Sequence, residues 1–287
     1  MAHISYLDAA FSAYRKAPPA LTAGLMVFLA LIHFITILYP GFRSALVLTS
    51  RAITGLDLNR LSFYPIVHAN IFHLVLDAWA LFPLVRKFEL SNGTVRTGIV
   101  LNILSVVPGV AYAIIMILIS SDAGVLGSSG WFFSFLAYYA VLDHQKNPVQ
   151  QITTTVSMPT WATPLVPLVI GFIIFPGSSF LGHCLGIGAG YAMALGYLDP
   201  LIEPSTNVVE WIEKRAQKAI ALIPPMFQFI DEVQARERRQ AARGASLPTT
   251  SEPTGPTVAT LQDTPGTTVA AANASSAFAG QGRALNE

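Results

Sequence analysis

Two residues of this chain have the types and settings for nucleophilic chemistry. Ser129 lies in Gly127-Ser128-Ser129-Gly130, at the head of an apolar run that lasts through Val141. His183 lies in Gly182-His183-Cys184-Leu185-Gly186, at the head of another that lasts through Leu198. A serine hydroxyl becomes a useful nucleophile when a base within hydrogen-bond reach takes its proton, and an imidazole suits that task. The first N–H groups of a helix have no intrahelical acceptor. The Ser129 N–H, aided by the positive end of the helix dipole, can therefore hold an oxyanion. Gly127 and Gly130 leave room there for a substrate backbone. This chemistry calls for no metal and no cofactor. Plain structural roles compete with it: Ser128 and Ser129 as helix caps, and His183 as a packing residue. A serine and a histidine at matching depth favour the catalytic reading over either role alone.

Three more polar residues lie inside an apolar stretch: His68, His73 and Asp77. Such groups are costly in lipid and face a bundle interior or a wet cavity. On a helix, His73 and Asp77 are four apart and share a face, while His68 is offset by more than a turn. After His183, Gly186 and Gly190 form a small-residue stripe that lets another helix approach closely. The facing surface is expected to carry Gly130 or Ser134. The single cysteine, Cys184, excludes an internal disulfide and any multi-cysteine metal site. It reads as a small packing residue.

The elements that must position these residues follow from hydropathy. Of 287 residues, 53% are hydrophobic and 11% charged, against about 25% charged in ordinary soluble domains. The charge is concentrated after Glu210. Spans of about 20 apolar residues cross a bilayer. Six candidates occur, near residues 21–39, 62–85, 97–119, 127–142, 161–175 and 180–198. The fold class expected is all-α, a bundle of six transmembrane helices. Its parts are a short N-terminus at 1–17, a six-span domain at 18–200, an amphipathic helical segment at 201–243 and a tail at 244–287. The tail is rich in Ala, Thr, Pro, Ser and Gly and reads as disordered. The amphipathic segment suits either the membrane surface or the outside of the bundle.

Six crossings put both termini on one side. The positive-inside rule assigns that side to the cytosol, because Arg15, Lys16, Arg86, Lys87, Arg96 and the basic tail all fall there. Arg43, Arg51 and Arg60, in the first opposite loop, dissent. Spans four and six then run in the same direction. Ser129 and His183 therefore share a depth near the luminal face. A net charge of +1 and the absence of a basic-aromatic pattern give no sign of nucleic acid as a partner.

The combined pattern resembles the rhomboid intramembrane serine proteases. Gly127-Ser128-Ser129-Gly130 is similar to their Gly-x-Ser-Gly, and His183-x-x-Gly186-x-x-x-Gly190 to their sixth-span histidine motif. His68-x-x-x-x-His73-x-x-x-Asp77 is similar to their second-span motif except at the last position, where the family has Asn. The resemblance implies a Ser129–His183 dyad, an oxyanion hole from the Ser129 N–H, His73 and the residue at 77, and a site lined by His68, Gly127, Gly130 and Gly186. It implies transmembrane protein substrates and contact with membrane lipid. Asp77 breaks the pattern, since an ionised carboxylate cannot donate to an oxyanion whereas a neutral one can. The first luminal loop also lacks the Trp-Arg pair common in the family. Both departures resemble small fungal rhomboids implicated in processing sterol regulatory element-binding protein precursors.

At the chain's end, Phe278-Ala279-Gly280-Gln281-Gly282-Arg283-Ala284-Leu285 resembles a box that binds an AAA ATPase segregase of the valosin-containing protein type. Phe278 and Leu285 would be apolar anchors, and Gly280 and Gly282 would let an extended peptide lie close to a partner. The resemblance implies a Golgi or endoplasmic reticulum membrane. A rival reading is a derlin-like, non-proteolytic adaptor that delivers membrane clients to the segregase. The Ser129–His183 pair favours the enzyme and Asp77 the adaptor. A proton-conducting transporter is a third class, disfavoured by the lack of an internal inverted repeat.

Overall fold

The computed structural model describes residues 17–175 and 177–245. The box at 278–285 and the N-terminal segment lie outside them. Helix α1 (Ala20–Leu38) is the first apolar run. Three short helices follow, α2 (Pro40–Leu46), α3 (Arg51–Thr54) and α4 (Asn59–Phe63). The bundle continues with α5 (Ile71–Asn92), α6 (Thr94–Leu118) and α7 (Ser129–His144). A hairpin of β1 (Val149–Gln151) and β2 (Ser157–Pro159) interrupts the helices, with Gln150 opposite Met158. Then come α8 (Leu165–Ile174), α9 (Phe180–Ala194), the single turn α10 (Asp199–Ile202), α11 (Thr206–Ile220) and α12 (Glu232–Ala245).

By length and apolar composition, α1 and α6 can each cross a membrane. Two further pairs qualify only as bent units, Asn59–Ile66 with Ile71–Asn92 and Phe180–Ala194 with Asp199–Ile220. The chain is thus a mostly helical, multi-pass membrane protein. The expected second span does not start at Ser62. A 3₁₀ turn over Tyr64–Ile66 with Pro65 in it, then an extended stretch, precedes Ile71. Asn70 opens α5 by accepting the His73 N–H at 2.9 Å on its side-chain oxygen. The two segments meet at 92°. His68 therefore sits in the break, off the helix that carries His73 and Asp77.

At 16 residues, α7 spans roughly 24 Å, short of the ~30 Å hydrocarbon core. It lies among α5, α6 and α9, with Trp131, Phe135 and Ala137 buried. Its approach to α9 rests on small residues. A Cβ on Gly186 would lie 2.8 Å from the Gly130 carbonyl oxygen, and one on Gly190 would collide with the Ser134 carbonyl. Ser134 Oγ donates at 2.9 Å to the Gly130 and Gly186 carbonyls, bonding the two helices where they touch.

The dissenting arginines of the first loop have local work. Arg60 donates to the Val47 carbonyl at 2.6 Å and the Ser44 carbonyl at 3.0 Å, and Arg43 to the Ala69 carbonyl at 3.0 Å. They satisfy backbone acceptors of a compact loop. An isolated antiparallel bridge, Leu48 to Val125, ties that loop to the approach to Ser129.

The other end of the bundle is closed by charge. Glu89 is fully buried. Its carboxylate accepts from the Leu21 N–H at 2.9 Å, the Thr22 N–H at 2.8 Å, Thr22 Oγ1 at 2.6 Å and Thr94 Oγ1 at 2.8 Å. It thus caps the N-terminus of α1 from a distant helix. Glu232, on α12, is equally buried. It holds Arg96 at 2.7 and 2.9 Å and Arg239 at 3.1 Å. The segment after Gly196 is therefore bonded to the bundle. In α11, Val209 packs inward while Val208 and Trp211 are exposed, so the segment both docks and presents an apolar edge.

Candidate active site

Ser129 is the first residue of α7, after a glycine at φ +105° and the cap position Ser128. Its N–H donates to no acceptor among the described residues. His183 is in the first turn of α9, which Ser179 caps by accepting the Gly182 N–H at 3.1 Å. Both residues thus stand at helix starts, and the close α7–α9 contact brings those starts together. Ser129 Oγ lies 2.9 Å from His183 Nε2. One turn along α7, Phe133 lies against the His183 ring, centroids 4.6 Å apart. No carboxylate bonds His183 among the described residues, so an aromatic face orients it.

On the other side of Ser128 lies a second polar cluster. Asp77 Oδ2 is 3.3 Å from each of His68 Nε2 and His73 Nε2. Ser128 Oγ–H donates to the same oxygen at 3.3 Å, and Ser128 Oγ is also 3.1 Å from His68 Nε2. His68 is fully buried and Asp77 nearly so, while the His73 side chain is 28% exposed. A buried carboxylate among donors is the arrangement expected of an acceptor. Asp77 is thus surrounded on one oxygen by groups that it holds.

Gly127 joins the clusters. Its N–H donates to the Tyr64 carbonyl at 3.1 Å. A Cβ there would lie 2.6 Å from His73 Cε1 and 2.8 Å from His73 Nε2. The His73 ring therefore rests on the backbone just before the serine. Gly130 faces Tyr64 instead, whose hydroxyl is 3.8 Å from where a Cβ would be. A small cavity of about 10 Å³ touches Ser129, His183, Gly182 and Tyr112, about the room one water centre needs. The sequence pattern marks Ser128 only as a cap and gives no role to Phe133 or Tyr64. The i+4 spacing of Phe133 from Ser129 was the one signal available.

A family model described as Rhomboid domain matches residues 56–200. The chain is 48% identical over 237 residues to the Rhomboid-type serine protease 2 of Yarrowia lipolytica, covering 81% of this chain and 80% of the relative. It is 36% identical over 272 residues to the protein of that name in Debaryomyces hansenii, covering 93% and 92%. The Saccharomyces cerevisiae protein of that name is 38% identical over 211 residues, covering 72% and 79%.

Proposed function

The chain belongs to the rhomboid family and is an intramembrane serine protease, and on that premise we propose that Ser129 is its nucleophile and His183 its general base. The 2.9 Å approach of Ser129 Oγ to His183 Nε2 carries the reading. Ser129 Oγ attacks a peptide carbonyl of a membrane-anchored substrate as its proton passes to His183 Nε2. The negative oxygen is held by the Ser129 N–H at the head of α7 and by His73. His183 then returns the proton to the leaving amine. Water then attacks the acyl carbonyl as His183 takes its proton, and His183 returns that proton to Ser129 Oγ as the carboxyl product leaves. The small cavity beside both residues suits such a water.

Asp77 in this reading positions rather than donates. Its Oδ2 accepts from Ser128 Oγ and lies 3.3 Å from His73 Nε2, and so fixes the turn and the ring that frame the oxyanion. His68 supports the same oxygen from the break before α5.

The experiment is cleavage of a membrane-anchored substrate, run beside labelling by a fluorophosphonate probe. Ser129→Ala and His183→Ala are each expected to abolish both while the protein still accumulates. Cleavage that survives in either variant sinks the dyad. Asp77→Asn keeps an acceptor for His73 and is expected to label at least as fast as wild type, whereas Asp77→Ala slows. Loss of labelling in Asp77→Asn shows instead that the charge itself is needed.

The finer reading rests on resemblance. Substrates are sterol regulatory element-binding protein precursors, cut in a Golgi or endoplasmic reticulum membrane by a six-span enzyme with both termini cytosolic. Phe278, Gly280, Gly282 and Leu285 recruit the AAA ATPase segregase. Removing 278–285 is expected to abolish capture of the segregase without altering fluorophosphonate labelling. Capture that persists removes the box from the proposal.

A further inference from the structure

A cavity of about 360 Å³ lies at the end of the bundle far from Ser129, within the range of small-ligand sites. Tyr138 lines it, and nine residues along α7 from Ser129 amount to roughly 14 Å of helix. Its walls come from the ends of α5, α6 and α9, with α12 alongside. Phe88, Val100, Tyr138, Met193 and Ile202 give an apolar side. Asn92 and Thr206 add neutral polar groups. The remaining lining is charged: Arg96, Arg236 and Arg239 against Asp199, Glu203 and Glu232.

These charges are not all used. Glu232 is neutralised by Arg96 and Arg239. Each guanidinium has five N–H donors. Arg96 uses Nε and Nη2 on Glu232, and Arg239 uses Nη1 and Nη2 on Ser91 and Glu232, so donors remain on both. Arg236 makes no ion pair among the described residues, and neither does Asp199 or Glu203. The cavity therefore offers free guanidinium donors on α6 and α12. Free carboxylates face it from the exit of α9, and an apolar side runs into the bundle. Three positive and three negative groups leave no net charge to favour a polyanion.

We propose that this cavity binds a ligand carrying both a phosphate and an ammonium, the headgroup of a zwitterionic phospholipid. The phosphate meets Arg236 and the free donors of Arg96 and Arg239, as guanidinium forks do. The ammonium meets Asp199 and Glu203. The apolar side takes the glycerol and the first carbons of the chains. Arg86 and Lys87 on α5, with Lys87 Nζ 3.9 Å from the centre of the Tyr139 ring, mark this end as a membrane–water boundary where headgroups lie. The site is independent of the dyad and of the chemistry assigned to it.

The test uses the full chain purified in neutral detergent and delipidated. Native mass spectrometry and thermal shift follow titration with dioleoyl phosphatidylethanolamine, an anionic phosphatidylinositol phosphate, and free phosphoethanolamine. The zwitterionic lipid is expected to bind at one site and raise Tm, with the other two much weaker. Arg236→Ala, and separately the pair Asp199→Asn with Glu203→Gln, are expected to weaken it roughly tenfold or more. These side chains are exposed, so gel-filtration profile and helix content should not change. Preference for the anionic lipid overturns the zwitterionic assignment. Free phosphoethanolamine binding as tightly as the lipid replaces a lipid site with a soluble one. No binding by wild type, or equal binding by wild type and both variants, overturns the proposal.

Discussion

Gly127 shows how the choice of one residue can be fixed by a ring from a helix earlier in the chain. Its φ of +105° is a conformation L side chains rarely adopt, and the His73 ring fills the space of a Cβ. Gly127→Ala therefore acts twice, straining the turn before Ser129 and pushing His73 off Asp77. Ser129-dependent labelling is expected to fall by on the order of a hundredfold, the usual cost of a small displacement in a site that works by orientation. Gly130→Ala meets only Tyr64 Oη at 3.8 Å and should leave more of the labelling intact. Equal losses in the two variants would count against the contact of His73 with Gly127. The same reasoning separates Asp77 from the asparagine of the family motif. A carboxylate accepts what an amide can both accept and donate, so the proposed oxyanion frame has one donor fewer than the Asn of the family motif would give it.

At the scale of elements, the proposed dyad depends on how near α7 comes to α9. Ser129 and His183 are 54 residues apart, and the close Gly130–Gly186 and Ser134–Gly190 contacts help bring their helix starts within reach. Gly190→Ala places a methyl against the Ser134 carbonyl and 2.9 Å from Ala137 Cβ. It must spread the helices, at a cost of about 1–3 kcal/mol from overpacking. Gly188→Ala meets nothing within 4 Å and gains helix propensity. Thermal unfolding in detergent should show a lower Tm and slower labelling for the first, with neither in the second. A Gly190→Ala variant as stable and as reactive as wild type would show that the α7–α9 contact has room for a methyl group.

At the scale of the molecule, the end opposite the dyad is stitched by two buried carboxylates. Glu89 receives four donors from α1 and α6, and Glu89→Ala orphans the Leu21 and Thr22 N–H groups. The expected loss is roughly 2–4 kcal/mol, read as a large fall in Tm. A variant as stable as wild type would remove the cap from the account. Outside the spans, Glu213 accepts the Glu232 N–H at 3.0 Å. Burial raises the Glu213 pKa, more than its hydrogen bond to that N–H lowers it, with the charges of Asp231, Glu232 and Glu210 adding to the rise. A raised carboxyl is favourable below its unfolded pKa of about 4.3 and loses that benefit as pH climbs through the folded value. Glu213→Gln keeps the acceptor without the charge. Its Tm at pH 7 should equal or exceed that of wild type, with any advantage gone at pH 4. A Tm below wild type at pH 7 would mean that the charge itself stabilises the joint.

Much of this protein is legible in its sequence. Hydropathy identified a multi-pass helical chain, because lipid tolerates few other ways to satisfy a backbone. The Gly-Ser-Ser-Gly and His-x-x-Gly-x-x-x-Gly patterns pointed to Ser129 and His183, since helix starts and small-residue stripes are local properties. Tertiary structure alone decided the rest. The break at Tyr64–Ile66 moves His68 off the helix of His73, which periodicity could not foresee once the apolar run continued through it. Arg43 and Arg60 look like misplaced topology signals until the carbonyls they satisfy are seen. Asp77 could have donated or accepted on sequence grounds. Which of these it does depends on groups brought to one of its oxygens from three separate segments, and no pattern along the chain records that meeting.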